Sequence, residues 1–208
     1  MINPKNKSLF KKIALLILVL IVIGFLIPQS FEMPVQKANL KSYSQHSFWA
    51  YPWGKSITHK GVDIFARKGT SIHSSTNGIV IYKGNISRGG NVVMVLGPKW
   101  RLHYYAHLDS IKTKMFSVVS TNTEIGTVGT TGNAAGKPPH LHYTIKSIIP
   151  YPWRYDSGIQ GWRKMFYLNP IPYLNESCFR SEGVVDRRRF IIFILNSKWK
   201  SDSKYQAT

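Results

Sequence analysis

Between residues 48 and 175 the chain is a succession of short apolar alternations, each interrupted by glycine or turn residues. The runs fall at 62–65, 78–82, 92–96, 102–106, 124–128 and 140–145. Residues alternating with period two place one set of side chains on each face of an extended strand, whereas an amphipathic helix needs a period of about 3.6. The runs lack that helical period. They predict a mostly β body, a compact antiparallel sheet or sandwich whose strands bury one face and leave the other open.

A different texture precedes it. Lys5, Lys7, Lys11 and Lys12 lead into an uncharged apolar run over 13–27 that contains a single glycine, Gly24. As a helix this run covers roughly 22 Å, short of a hydrocarbon core of about 30 Å, so a signal peptide and a short signal anchor both fit. Pro28, Gln29, Ser30, Phe31 and Glu32 follow it without a small-x-small cleavage pattern, which favours an uncleaved anchor. The lysines before the run outnumber Lys37 and Lys41 after it, so the N-terminus is expected inside and the body exported. The expected organisation is a signal anchor or signal peptide over 1–30, a linker over 31–48, the β body over 49–175 and a basic extension of unassigned role over 176–208. In that extension Arg187-Arg188-Arg189 precedes an apolar run over 190–195, too short to span a bilayer, read as a strand or a peripheral membrane contact.

Charge narrows the partners less than it first suggests. The 208 residues carry 28 Lys+Arg against 9 Asp+Glu, a formal charge of +19 spread along the chain. That favours any polyanion: nucleic acid, anionic lipid or an acidic cell-wall polymer. Export disfavours nucleic acid, and none is expected as a partner. The hydrophobic fraction of 43% supplies a packed core and excludes a disordered tail protein. Cys178 is the single cysteine, so a disulfide framework and a cysteine-rich zinc module are both excluded. A metal in this chain must be held by histidine and carboxylate.

Such donors occur in three places. His59-Lys60-Gly61-Val62-Asp63 sets an imidazole and a carboxylate an even number of residues apart at the start of a strand, so both can face one side. In His140-Leu141-His142 the two imidazoles share a face while Leu141 turns the other way. Tyr104-Tyr105-Ala106-His107-Leu108 ends a strand that also carries His103; spacing alone leaves open which of His103 and His107 reaches a site. Two histidines and one carboxylate suit zinc and leave a fourth position for water, while a neighbouring imidazole can handle that water's proton. His46 and His73 have no partner pattern.

In this order the pieces resemble the lysostaphin-type, or LytM-domain, zinc metallopeptidases, a family of peptidoglycan endopeptidases. The resemblance spans about 49–174. It rests on His59-Lys60-Gly61-Val62-Asp63, Gly69-Thr70 with Asn77-Gly78-Ile79-Val80, and Tyr105-Ala106-His107-Leu108. It continues through Ile125-Gly126-Thr127-Val128-Gly129-Thr130-Thr131-Gly132, Pro139-His140-Leu141-His142-Tyr143 and Asn169-Pro170-Ile171-Pro172-Tyr173-Leu174.

The resemblance implies a small antiparallel β fold with a groove across one sheet, and a zinc ion held by His59, Asp63 and His142. His107 and His140 match the family's two catalytic histidines. His140 is then the expected general base, with His107 orienting water or stabilising the tetrahedral oxyanion; the two roles can be exchanged. Asn122-Thr123-Glu124 replaces a usual Gly-Gln step and is expected to alter only a turn. Thr144 stands where a glutamate is common, so a contact behind the metal ligands is expected to be lost. The implied function is zinc-dependent hydrolysis of peptide bonds in peptidoglycan stem peptides or cross-links. The alternative is a non-catalytic LytM-like protein that activates a cell-wall hydrolase. Such relatives usually have eroded ligand positions, whereas His59, Asp63 and His142 are all present. A protein regulator is compatible with both readings. The expected location is the cytoplasmic membrane with the β domain in the periplasm or cell-wall space, or secretion after cleavage.

Overall fold

The computed structural model describes residues 4–181. A helix, α1 (Pro4–Leu26), is followed by strands β1 (Val62–Phe65), β2 (Ser71–His73), β3 (Gly78–Ile86), β4 (Gly90–Gly97), β5 (Arg101–Ile111), β6 (Val118–Val119), β7 (Glu124–Val128), β8 (His140–Ser147) and β9 (Tyr167–Leu168), and by a second helix, α2 (Ile171–Ser181). The nine strands form one antiparallel sheet ordered β1-β8-β5-β4-β3-β6, with β9 beside β8 and β7 joining β2 to β5.

The period-two runs become strands for the expected reason. In β8, Leu141, Tyr143 and Ile145 are fully buried against Val62, Ile64, Tyr105 and Leu174, while His140, His142 and Thr144 take the other face. Burying each large apolar side chain contributes about 1.5–3 kcal/mol, which pins the register because a one-residue slip would exchange the two faces. The strands at 62–65 and 124–128 coincide with β1 and β7, and the other four runs extend at one or both ends.

The segment expected as a linker is instead packed onto this body. Phe31, Val35 and Tyr43 are buried in the main core. Val35 bridges Ile72, the Gln36 amide donates to Ser71 O at 3.0 Å, and the His73 amide donates to Pro34 O at 2.8 Å, so residues 34–36 run beside β2. The Tyr43 hydroxyl donates to Asn175 Oδ1 at 2.6 Å, and the Met33 amide to Ser177 Oγ at 2.8 Å. The polar spacing of 31–48 hides three core anchors, because isolated apolar residues carry no period.

The C-terminal extension also begins differently from expectation. It contains most of α2, whose Ile171, Leu174, Asn175 and Cys178 are buried at helical spacing, with Pro172 tolerated in the first turn. The helix begins where Asn169 Oδ1 accepts the Ile171 amide at 3.0 Å. The triple arginine and the 190–195 run lie outside the described residues.

Helix α1 contains a stretch, Ser8–Leu26, long and apolar enough to cross a membrane; most of its apolar side chains are exposed, while Phe25 near its end packs against the core of the body. Its C-terminal end touches the turn before β5: the Trp100 indole donates to Ile21 O at 3.0 Å and Lys99 Nζ to Phe25 O at 3.1 Å.

Candidate metal centre

Strands β1 and β8 pair antiparallel with Asp63 directly opposite His142. The loop before β1 returns His59 to the same point. Gly61 makes that return possible, since a Cβ there would lie 2.4 Å from Tyr143 O and 2.5 Å from Thr144 Oγ1. The result is a triangle of donors: His59 Nε2 to Asp63 Oδ1 3.2 Å, His59 Nε2 to His142 Nδ1 3.2 Å, and His142 Nδ1 to Asp63 Oδ1 2.7 Å. A four-coordinate zinc ion with bonds of about 2.0–2.1 Å sets its ligands roughly 3.3 Å apart, so the triangle has the dimensions of one face of such a site.

The outer ring atoms are also engaged. His59 Nδ1 donates to Ser47 O at 2.9 Å, which leaves Nε2 as the bare nitrogen aimed at the triangle. His142 Nε2 lies 3.1 Å from Thr144 Oγ1. The contact expected to be lost with threonine at 144 is therefore present, made by a hydroxyl two residues along the same strand face. Burial raises the Asp63 carboxyl, but the close contacts and charges of His142 and His59 outweigh it and hold the carboxyl well below the usual carboxylate range. A permanently ionised oxygen between two imidazoles is what a divalent cation requires.

His107 and His140 stand beside the triangle. Their rings are 5.1 Å apart between centroids, inclined at 64°, and His140 Nε2 is 4.0 Å from Asp63 Oδ1. Each is held through Nδ1 by a backbone carbonyl, His107 by Thr131 O and His140 by Pro138 O, both at 2.8 Å. A carbonyl only accepts, so the proton sits on Nδ1 and both Nε2 atoms carry lone pairs. Burial, then the charge of His142, pushes the His107 imidazole down to about 4. His107 is accordingly neutral at pH 7.

The question left open by spacing between His103 and His107 is settled by the backbone. His103 and Tyr105 both face the core, and regular alternation would send His107 there too. Instead His107 has a left-handed φ of 66°, at the place where the β4–β5 register slips between Asn91 and Val93. This bulge turns His107 to the open face and returns Leu108 to the core. His103 is wholly buried, with Nδ1 2.6 Å from the Tyr143 hydroxyl and Nε2 3.1 Å from Gln29 Nε2. His46 and His73 do not join the cluster.

Sequence reasoning missed several neighbours. Trp53 stacks on His59 at 4.1 Å and 22°, and Phe65 lies 5.3 Å from the His140 ring. The carbonyls of Ser47, Thr131 and Pro138 carry no side-chain signature at all. Trp53 and Phe65 are partly exposed aromatics near the donors, a signal that adjacency to the His59 and Asp63 motif had offered.

A one-sheet antiparallel domain with a two-histidine, one-aspartate triangle and two further imidazoles beside it defines a LytM-type domain. Residues 57–151 match Peptidase family M23, and the chain carries an M23 domain. The family is zinc-dependent. Among curated proteins, the L-Ala--D-Glu endopeptidase of Bacillus subtilis is 32% identical over 155 residues, covering 66% of this chain and 45% of that protein. The murein hydrolase activator NlpD of Escherichia coli is 34% identical over 118 residues, covering 50% of this chain and 30% of that protein. The matches thus span less than half the length of these relatives. Among solved structures, the catalytic domain of lysostaphin from Staphylococcus simulans superposes with a TM-score of 0.50 at 24% identity, covering 64% of this chain and 93% of that one. LytM from Ruminococcus gnavus gives 0.55 at 24%, covering 72% and 61%. These likenesses establish the fold.

Proposed function

We propose that this chain is a zinc-dependent endopeptidase that hydrolyses peptide bonds in peptidoglycan stem peptides or cross-links. The observation that carries the reading is the meeting of His59, Asp63 and His142 in one triangle with the bare Nε2 atoms of His107 and His140 alongside. In this reading His59 Nε2, Asp63 Oδ1 and His142 Nδ1 hold the metal. Zinc bound there supplies a Lewis acid for the scissile carbonyl and lowers the pKa of water at its open position to about 7.

The remaining work falls to the imidazoles. His140 Nε2 accepts the proton of the attacking water, because Pro138 O keeps its other nitrogen protonated. His107, neutral with Nε2 free, accepts a hydrogen bond from that water and orients it, and the proton taken up by His140 passes to the leaving amine nitrogen as the peptide bond breaks. Trp53 and Phe65 flank His59 and His140 and limit access of bulk water to them. Helix α1 anchors the chain, with the β domain on the exported side facing the cell-wall polymer.

The test is digestion of purified sacculi by the full chain in detergent, with and without a chelator, read by mass spectrometry of the released muropeptides. Metal-dependent release of cleaved peptides is expected. A second reading, a LytM-like activator of another cell-wall hydrolase, draws on the similarity to NlpD. It predicts no release by the chain alone and stimulation of an added hydrolase.

A further inference from the structure

Roughly 20 Å along β5 from the candidate metal centre, at the Arg101 end of the strand, the chain leaves α1 and turns over a cavity. It measures about 470 Å³ and its lining includes Gln29, Lys99, Arg101, Tyr173, Glu176 and Arg180. Arg101 Nη1 donates to Gln29 Oε1 at 2.5 Å and to the Tyr173 hydroxyl at 3.3 Å. Its Nε is buried with no hydrogen-bond partner among the described residues. Arg180 pairs with Glu32 at 3.2 Å and also donates to Phe31 O. Lys99, Arg101 and Arg180 against Glu32 and Glu176 leave one positive charge in excess.

The surroundings specify the medium. Lys99 and Trp100 donate to carbonyls in the last turns of α1, and a lysine and a tryptophan at the exit of an apolar helix are residues of the membrane interface. Pro28, Gln29 and Ser30, which follow the helix after Ile27, form one wall of the cavity.

We infer that this cavity binds the phosphodiester of an anionic phospholipid where α1 leaves the bilayer. The inference rests on α1 spanning the membrane with the body exported. A phosphodiester carries the single negative charge left unmatched once Glu176 in the lining and Glu32, which pairs with Arg180 from outside it, are counted. Its oxygens accept from the Arg101 guanidinium and from Lys99. Acyl chains then lie along the exposed apolar side chains of α1. The bound lipid fixes the height of the domain above the bilayer, with the metal centre at the far end of β5.

The full chain is reconstituted in nanodiscs of phosphatidylcholine with graded phosphatidylglycerol, and retained lipid is counted by native mass spectrometry. One phosphatidylglycerol retained in preference to phosphatidylcholine is expected, with the preference reduced about tenfold in Lys99→Gln/Arg101→Gln. Lys99→Gln/Arg180→Gln carries the same expectation should loss of the Arg101 contacts impair folding. Equal retention of the two lipids, or a preference unchanged in the variants, overturns the inference. So does displacement of the lipid by millimolar inorganic phosphate, which would assign the cavity to the free anion. A carbonate wash that strips the chain from vesicles refutes the spanning reading alone; binding of short-chain phosphatidylglycerol to the detergent-solubilised chain, or its absence, then still decides the cavity.

Discussion

Asp63 and His142, remote in sequence, are direct cross-strand partners on β1 and β8, with Oδ1 and Nδ1 2.7 Å apart. The geometry of the proposed metal site is thus written into a backbone register. Any change that keeps the register but removes a donor isolates chemistry from folding.

His142→Ala removes one corner of the triangle while Leu141 and Tyr143 still pin β8. The variant is expected to fold and to lose stoichiometric zinc together with muropeptide release. Elemental analysis beside activity checks this, and zinc retained at one equivalent would remove His142 from the ligand set.

His140→Ala separates metal from turnover. Zinc content is expected to stay at one equivalent while the rate of bond cleavage falls about 10²–10⁴-fold, the usual contribution of a positioned proton acceptor. Near-normal turnover would move the base role to His107.

Thr144→Val deletes the hydroxyl behind His142 without changing side-chain shape. Zinc affinity is expected to fall about 10–100-fold in competition with a chromophoric chelator. An unchanged affinity would mean that His142 is oriented by its strand alone.

Phe31→Ala tests whether the segment before the β body belongs to the core. Phe31 is 6% exposed and stacks on Tyr173 at 4.9 Å. A loss of about 3–5 kcal/mol in denaturant unfolding is expected, where a free linker would give no change.

His103 links stability to pH. Burial first, and the Arg101 charge second, push its imidazole down to about 3, against an ordinary 6.5. The folded chain refuses a proton that the unfolded chain accepts. Its contribution is complete above pH 6.5 and is lost as pH falls towards 3, at about 1.4 kcal/mol per pH unit for one proton. In metal-free protein, His103→Gln is expected to reduce the pH slope of unfolding free energy by about one proton across that window. Denaturant melts at graded pH measure it, and an unaltered slope would contradict the buried neutral state.

Much of this was legible beforehand where it depends on local period. Alternation in His140-Leu141-His142-Tyr143 places two imidazoles on one face because Leu141 and Tyr143 must be buried on the other. The same logic located six strands. It failed for β2, β6 and β9, which are too short to show a period, and for Phe31, Val35 and Tyr43, which act singly. The buried 171, 174, 175 and 178 positions of α2 do carry a helical spacing, but across a single short helix opened by proline.

The sequence by itself determined the donor types, their order and the strand faces that present them, because side-chain alternation is a local property of extended backbone. Only the tertiary structure decided between His103 and His107. Their equal parity is broken by a left-handed residue in a β-bulge, and a bulge arises from pairing with a neighbouring strand. The ring nitrogens were decided in the same way: the carbonyls of Ser47, Thr131 and Pro138 fix where the protons sit, and a carbonyl is common to every residue until folding brings one within reach.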